Sequence, residues 1–160
     1  TEVWMRLSTS SSIRSIIGKR QNSNSVNGWV IAFRGNSPYN GLLWRNTSPS
    51  GYMDVVFSTN QTSTLLNTWR LLTCVKNSDG SFAVYINGVD AGGVRASHSS
   101  LPNLAFDMNN SSAALALSRY GTSNSFEFSG GIGQAKIHSE ALTAAAALAS
   151  FNADKTKYGY

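Results

Sequence analysis

The sequence predicts an all-β fold: a two-sheet antiparallel jelly-roll sandwich with one short C-terminal helix. Three observations point there. The stretch Trp69 to Gly88 reads as two strands around one turn, because Leu71, Thr73 and Val75 alternate with Leu72, Cys74 and Lys76 before Asn77-Ser78-Asp79-Gly80. About a dozen short strands in all, the hairpin's two among them, follow one another at close spacing, separated by Gly, Asn, Ser and Asp turn signals. Only 13% of the 160 residues are charged, and Ser, Thr, Asn and Gly stand in their place. That composition suits strands and turns with an uncharged polar surface.

Taken in order, Thr1 to Arg6 alternates as a strand, and Ser8 to Ser12 is a loop. Ile13 to Gly18 is a second strand, ending at the basic pair Lys19-Arg20. Gly28 to Phe33 is a third, with Trp29, Ile31 and Phe33 on one face. Leu42 to Arg45 and Tyr52 to Ser58 follow. In the central hairpin, Phe82, Val84 and Ile86 share a face, and Asn87-Gly88 supplies the next tight turn. Trp69, Leu71, Phe82, Val84 and Ile86 are expected at the centre of the core. Val89 to Val94 is expected to be a strand bulged at Gly92-Gly93. Leu104 to Met108, Ala113 to Ser118 and Phe126 to His138 complete the strands. Thr143 then caps a helix that starts Ala144-Ala145-Ala146-Ala147-Leu148. Leu142, Leu148 and Phe151 are expected to seal one edge of the sandwich. No fixed-period repeat argues for a solenoid or propeller.

A chain of 160 residues is one domain, able to bury a core without metal or disulfide staples. Four Trp, six Tyr and seven Phe set it apart from a disordered chain. The net charge of +5 comes from scattered residues, so nucleic acid is not expected as a partner. Cys74, the single cysteine, sits within a strand and reads as a buried inert thiol. No apolar run is long enough for a transmembrane helix, so membrane insertion is not expected.

The residues of the central hairpin also carry a resemblance. A Trp opening a strand, an Asp-Gly turn and then Tyr85-Ile86-Asn87-Gly88 resembles the middle of the laminin-G-like and pentraxin-like domains, members of the concanavalin A-like lectin/glucanase superfamily. Thr1 to Arg6 resembles an early strand of those domains, and Phe128 to Phe151 their last strand with the short helix after it. The resemblance implies a concanavalin A-like jelly roll. It also implies one or two strands ahead of Thr1, so residues 1–160 are expected to belong to a larger protein, or to an assembly that covers an open sheet edge. The alternative is that Tyr158 to Tyr160 folds back to fill that edge. The ending, Phe151-Asn152-Ala153-x-Lys155-x-x-Tyr158-Gly159, resembles those of phage structural and tail proteins.

Candidate sites follow from the same reading. Glycan-cleaving relatives carry closely spaced carboxylates on one strand, whereas no two of the eight acids here lie within four residues of each other. His98 and His138 have no nucleophile or metal partner at useful spacing, so no catalytic residue is assigned and the chain is not expected to be an enzyme. The resemblance implies a Ca²⁺ site in many relatives, and Asp107 with Asn109 and Asn110 is the local candidate. The acids that many relatives carry before the final strand are replaced here by Gly133 and Gln134, so a polar turn at Asp107 is the favoured reading, and no other cofactor is expected. For sugar, Tyr39-Asn40, Trp44-Arg45-Asn46 and Arg119-Tyr120 offer ring faces and hydroxyl partners at strand ends or in loops. The expected function is non-catalytic recognition of a carbohydrate or a bacterial cell surface, in an extracellular, cell-surface or virion protein. A purely structural assembly or decoration module, forming a homo-oligomer or larger array, is the alternative.

Overall fold

The computed structural model describes residues 1–9, 13–20, 28–35, 41–48, 51–57, 65–79, 81–92, 94–96, 112–119 and 126–160. The expected strand at Leu104 to Met108, and the candidates Tyr39, Asn40, Asp107, Asn109, Asn110 and Tyr120, lie outside these residues. The described strands are β1 (Glu2–Leu7), β2 (Ile13–Lys19), β3 (Gly28–Arg34), β4 (Gly41–Ser48), β5 (Gly51–Phe57), β6 (Arg70–Lys76), β7 (Phe82–Ile86), β8 (Val89–Asp90), β9 (Val94–Ala96), β10 (Leu115–Leu117) and β11 (Gly130–Lys136). They form two antiparallel sheets. One is five-stranded in the order β11-β1-β6-β7-β8, the other six-stranded in the order β10-β2-β3-β4-β5-β9. One α-helix, α1 (Ala144–Asp154), follows the last strand. This is the expected jelly-roll sandwich.

The core lies between the sheets. The six-stranded sheet supplies Ile17, Trp29, Ile31, Phe33, Leu42, Trp44 and Val55, and the five-stranded sheet Val3, Met5, Leu7, Leu72, Cys74 and Val84. A register shift leaves Ile16 as an extra residue against β3, so Ile16 and Ile17 are both fully buried. Phe82 reaches across from the five-stranded sheet and meets the Trp44 ring edge-on at 4.9 Å. Asn87 (φ 55°) and Gly88 (φ 77°) form the two-residue turn between Ile86 and Val89, the left-handed pair that a tight hairpin requires.

The core expectation holds for Val84, while Phe82 and Ile86 are only partly buried at its margin. Trp69 and Leu71 belong elsewhere. On β6 it is Leu72 and Cys74 that face the other sheet. Leu71 lines the seam beneath α1 with Trp4, Ser150 and Asp154, and Trp69 lies on that same outer face against Tyr158. Both faces of β6 are apolar because both are covered, so alternation does not say which one looks inward. Residues 89–94 are not one bulged strand either. Val89–Asp90 pairs with β7 in one sheet and Val94–Ala96 with β5 in the other, so the chain changes sheets between them.

The C-terminal segment packs flat on the outer face of the five-stranded sheet rather than along an edge. Thr143 caps α1 by accepting from Ala146 N at 3.2 Å. Past the helix, the Tyr158 ring stacks on Trp4 with centroids 4.1 Å apart and planes 13° apart. Its hydroxyl accepts from Gln134 N where β11 bulges against β1. A Cβ on Gly133 would stand 2.5 Å from that hydroxyl, and one on Gly131 would stand 2.9 Å from the Trp69 ring. The glycines of β11 therefore give two aromatic rings room to lie on the strand. Gly133 and Gln134 serve Tyr158 here. Tyr160 donates to Trp69 O and accepts from Arg70 and Asn87. Asp154 takes lysines from both sides, Lys157 at 2.6 Å and Lys136 at 3.3 Å, and the Lys157 hydrogen bond foremost holds its carboxyl below the usual range. The strand that begins at Glu2 is no open edge, since β1 lies between β11 and β6. Tyr158 to Tyr160 folds back over its face without pairing as a strand.

Candidate functional site

Strand register places a polar row at one end of the sandwich. Leu115, Lys19, Trp29 and Asn46 are successive cross-strand partners on β10, β2, β3 and β4. They lie two residues beyond Leu117, Ile17, Ile31 and Trp44, so they continue the inward-facing side of the six-stranded sheet. On the five-stranded sheet, Thr1 continues the inner positions of Val3 and Met5, and Lys76 those of Leu72 and Cys74. Between these rows lies a cleft of about 490 Å³. Trp29, Trp44 and Cys74 form its floor, Lys19 and Lys76 come from opposite sheets, and His138, Ser139 and Glu140 form a rim after β11.

The electrostatics of the cleft are uneven. Among the described residues neither Lys19 nor Lys76 has an ion-pair partner; the pairs join Arg45 to Asp54, Lys136 and Lys157 to Asp154, and His138 to Glu2. A lysine at the end of an inner face can run its stem along the core and keep its ammonium at the mouth. His138 Nε2 sits 2.9 Å from the buried carboxylate of Glu2, whose other oxygen accepts from Thr73. Asn46 is 1% exposed, and its Oδ1 accepts from Trp44 Nε1 at 3.1 Å. The indole N–H can only donate, so it orients the amide, and Nδ2 is left buried without a partner.

Burial pushes the Cys74 thiol up to about 12, because the thiolate would lie in apolar surroundings. Although it lines the cleft, Cys74 is therefore expected to resist iodoacetamide at mildly alkaline pH and to react once the protein is unfolded. Labelling of the native protein at the rate of the denatured chain would contradict this burial.

The candidates named from sequence are not brought together. Trp44 is not at a strand end; it sits within β4 at 2% exposure, as part of the cleft floor. Arg45 faces the other way and grips Asp54 through Nε and Nη2 at 2.6 and 2.7 Å. Its strand partner is Asp54 itself, so the ion pair takes up the guanidinium. Arg119 is exposed beyond β10, at the opposite end of that strand from Leu115, and its carbonyl accepts from Ser15. Lys19, Lys76, Ser139 and Glu140 had not been named as site residues, and His138 had been weighed only for catalysis and metal binding. Their signal was parity: Lys19 lies two residues after the buried Ile17, and Lys76 two after Cys74.

No curated protein matches the chain. The family model Laminin_G_3, of the concanavalin A-like lectin/glucanases superfamily, matches residues 1–147 and so takes in both sheets and the cleft. Matched over that span and built as an antiparallel sandwich with its cleft between the sheet ends, the chain belongs to the laminin G-like family of the concanavalin A-like lectin/glucanase superfamily.

Proposed function

We propose that this laminin G-like domain is a non-catalytic module that recognises a carbohydrate at the cleft between the sheet ends. The observation that carries the reading is the cleft itself, which puts two lysines, a serine and two indoles beside one solvent-open space in a lectin-superfamily sandwich. The acids support a binding role over hydrolysis. Glu2, Asp54 and Asp154 are tied to Thr73, Arg45 and lysines, while Asp79 and Asp90 serve their own turns by accepting from Ser81 and Gly92. Of the remaining described carboxylates, Glu140 is on the cleft rim and Glu127 precedes β11 at the far end of the sandwich. That separation suits neither geometry of glycoside hydrolysis.

The setting belonging to this reading is an extracellular, cell-surface or virion protein, with a glycan or bacterial surface as partner. A second reading, an assembly module, draws on Leu115, Leu117 and Ile137, about half exposed on β10 and just beyond β11. A glycan array on the purified domain tests the first reading. Retention of a glycan, without release of reducing ends, is expected. A domain that binds nothing on the array and self-associates through the β10 edge would replace it with the assembly reading.

A further inference from the structure

We infer that the ligand of this cleft bears a carboxylate, and that Lys19 and Lys76 hold it from opposite sheets. The inference rests on the carbohydrate reading above and adds the chemical class of the sugar. Both lysines occupy inner-face positions, where a strand of this sandwich otherwise carries Ile17 or Cys74. Both line the one cleft. Among the described residues no carboxylate forms an ion pair with either of them; Asp79, in the turn after Lys76, acts on Lys76 only at longer range, and Glu140 on the exposed rim is the only acid lining the space. The carboxylate of Glu2 is engaged by His138 and Thr73 instead. An entering carboxylate would gain charge-assisted hydrogen bonds from the two lysines.

A second feature points the same way. The Trp29 and Trp44 indoles line the floor, and the small part of them left exposed, 5% and 2%, is apolar surface that a sugar ring can touch. Ammoniums and indoles together fit an acidic monosaccharide unit, either a uronic acid or a sialic acid.

The experiment measures binding by calorimetry at about 0.15 M salt, where long-range attraction between exposed charges is largely screened. The probes are trigalacturonate and sialyllactose, with galactotriose and lactose as their uncharged counterparts, alongside an array of neutral and acidic glycans. At least one acidic probe is expected to bind about tenfold or more tighter than its counterpart. Lys19→Gln and Lys76→Gln should each remove most of that preference, and Lys157→Gln, which takes an equal charge from the exposed C-terminal turn, should leave it unchanged. Unfolding midpoints of the variants show that the fold is kept. Binding of neutral glycans with no preference for acid, or an acid preference that survives both cleft substitutions, would overturn the inference and leave the carbohydrate reading standing. Failure of every glycan to bind would remove that reading and the inference with it.

Discussion

Trp4→Ala is expected to lower the unfolding free energy by about 3–5 kcal/mol, the range for emptying a buried tryptophan site. Trp4 is 1% exposed although it points away from the core between the sheets. Its burial comes from the other end of the chain: Tyr158 stacks on its face, and Phe151 and Tyr160 lie 5.8 and 6.3 Å away. Such ring pairs add about 0.5–1.5 kcal/mol beyond the area they bury. Removing residues 148–160 should therefore have a comparable cost, because it strips the same cover and exposes Trp4 on a sheet face. The two changes share one interface, so combining them should cost less than their sum. Denaturant unfolding reads both effects. A loss below about 1 kcal/mol for Trp4→Ala would mean that the C-terminal segment contributes little to holding this face. Residues 148–160 lie beyond the family match, so the experiment also asks whether this domain relies on an element of its own.

Arg45→Met is expected to cost a similar amount, about 3–5 kcal/mol, for a different reason. Asp54 is fully buried in β5, and Arg45 supplies its counter-charge through two short hydrogen bonds while keeping 15% of its own side chain exposed. Removing the arginine leaves a carboxylate sealed in the protein without compensation. Replacing both residues, as Arg45→Met with Asp54→Leu, should recover most of the loss, since a well-packed apolar pair avoids desolvating either charge. The comparison of single and double variants checks the pair directly. A single variant with nearly wild-type stability would show that Asp54 finds another partner or reaches water. Either outcome bears on Arg45 as a sugar ligand, because a guanidinium held this way is not available to a hydroxyl.

Local chemistry was legible where the signal lay within a few residues. Asn87-Gly88 makes the turn because this pair tolerates left-handed backbone, and it does so between the paired residues Ile86 and Val89. Thr143 caps α1 because its side-chain oxygen reaches an amide three residues on. Most described strands fall near their expected positions because alternation and Gly or Asn punctuation are local properties, while residues 89–94 divide between the two sheets. The site was read less well. Tyr39-Asn40, Trp44-Arg45-Asn46 and Arg119-Tyr120 were chosen because aromatic and polar residues stood together in sequence. Neighbours in a strand point to opposite faces, so Trp44 went into the floor of the cleft and Arg45 into an ion pair on the other side.

By itself the sequence determined that the chain makes short antiparallel strands, where they turn, that a capped helix follows them, and which superfamily the sandwich belongs to. Tertiary structure alone decided which face of each strand is the inside. For β6 both faces are apolar, and only the docking of α1, more than sixty residues away in the chain, assigns Leu71 to the helix and Leu72 to the core. It also decided that Lys19 and Lys76 share one cleft. A strand records its own alternation, but the sheet that will lie opposite is set by pairings between segments far apart in the chain, and no local pattern encodes them.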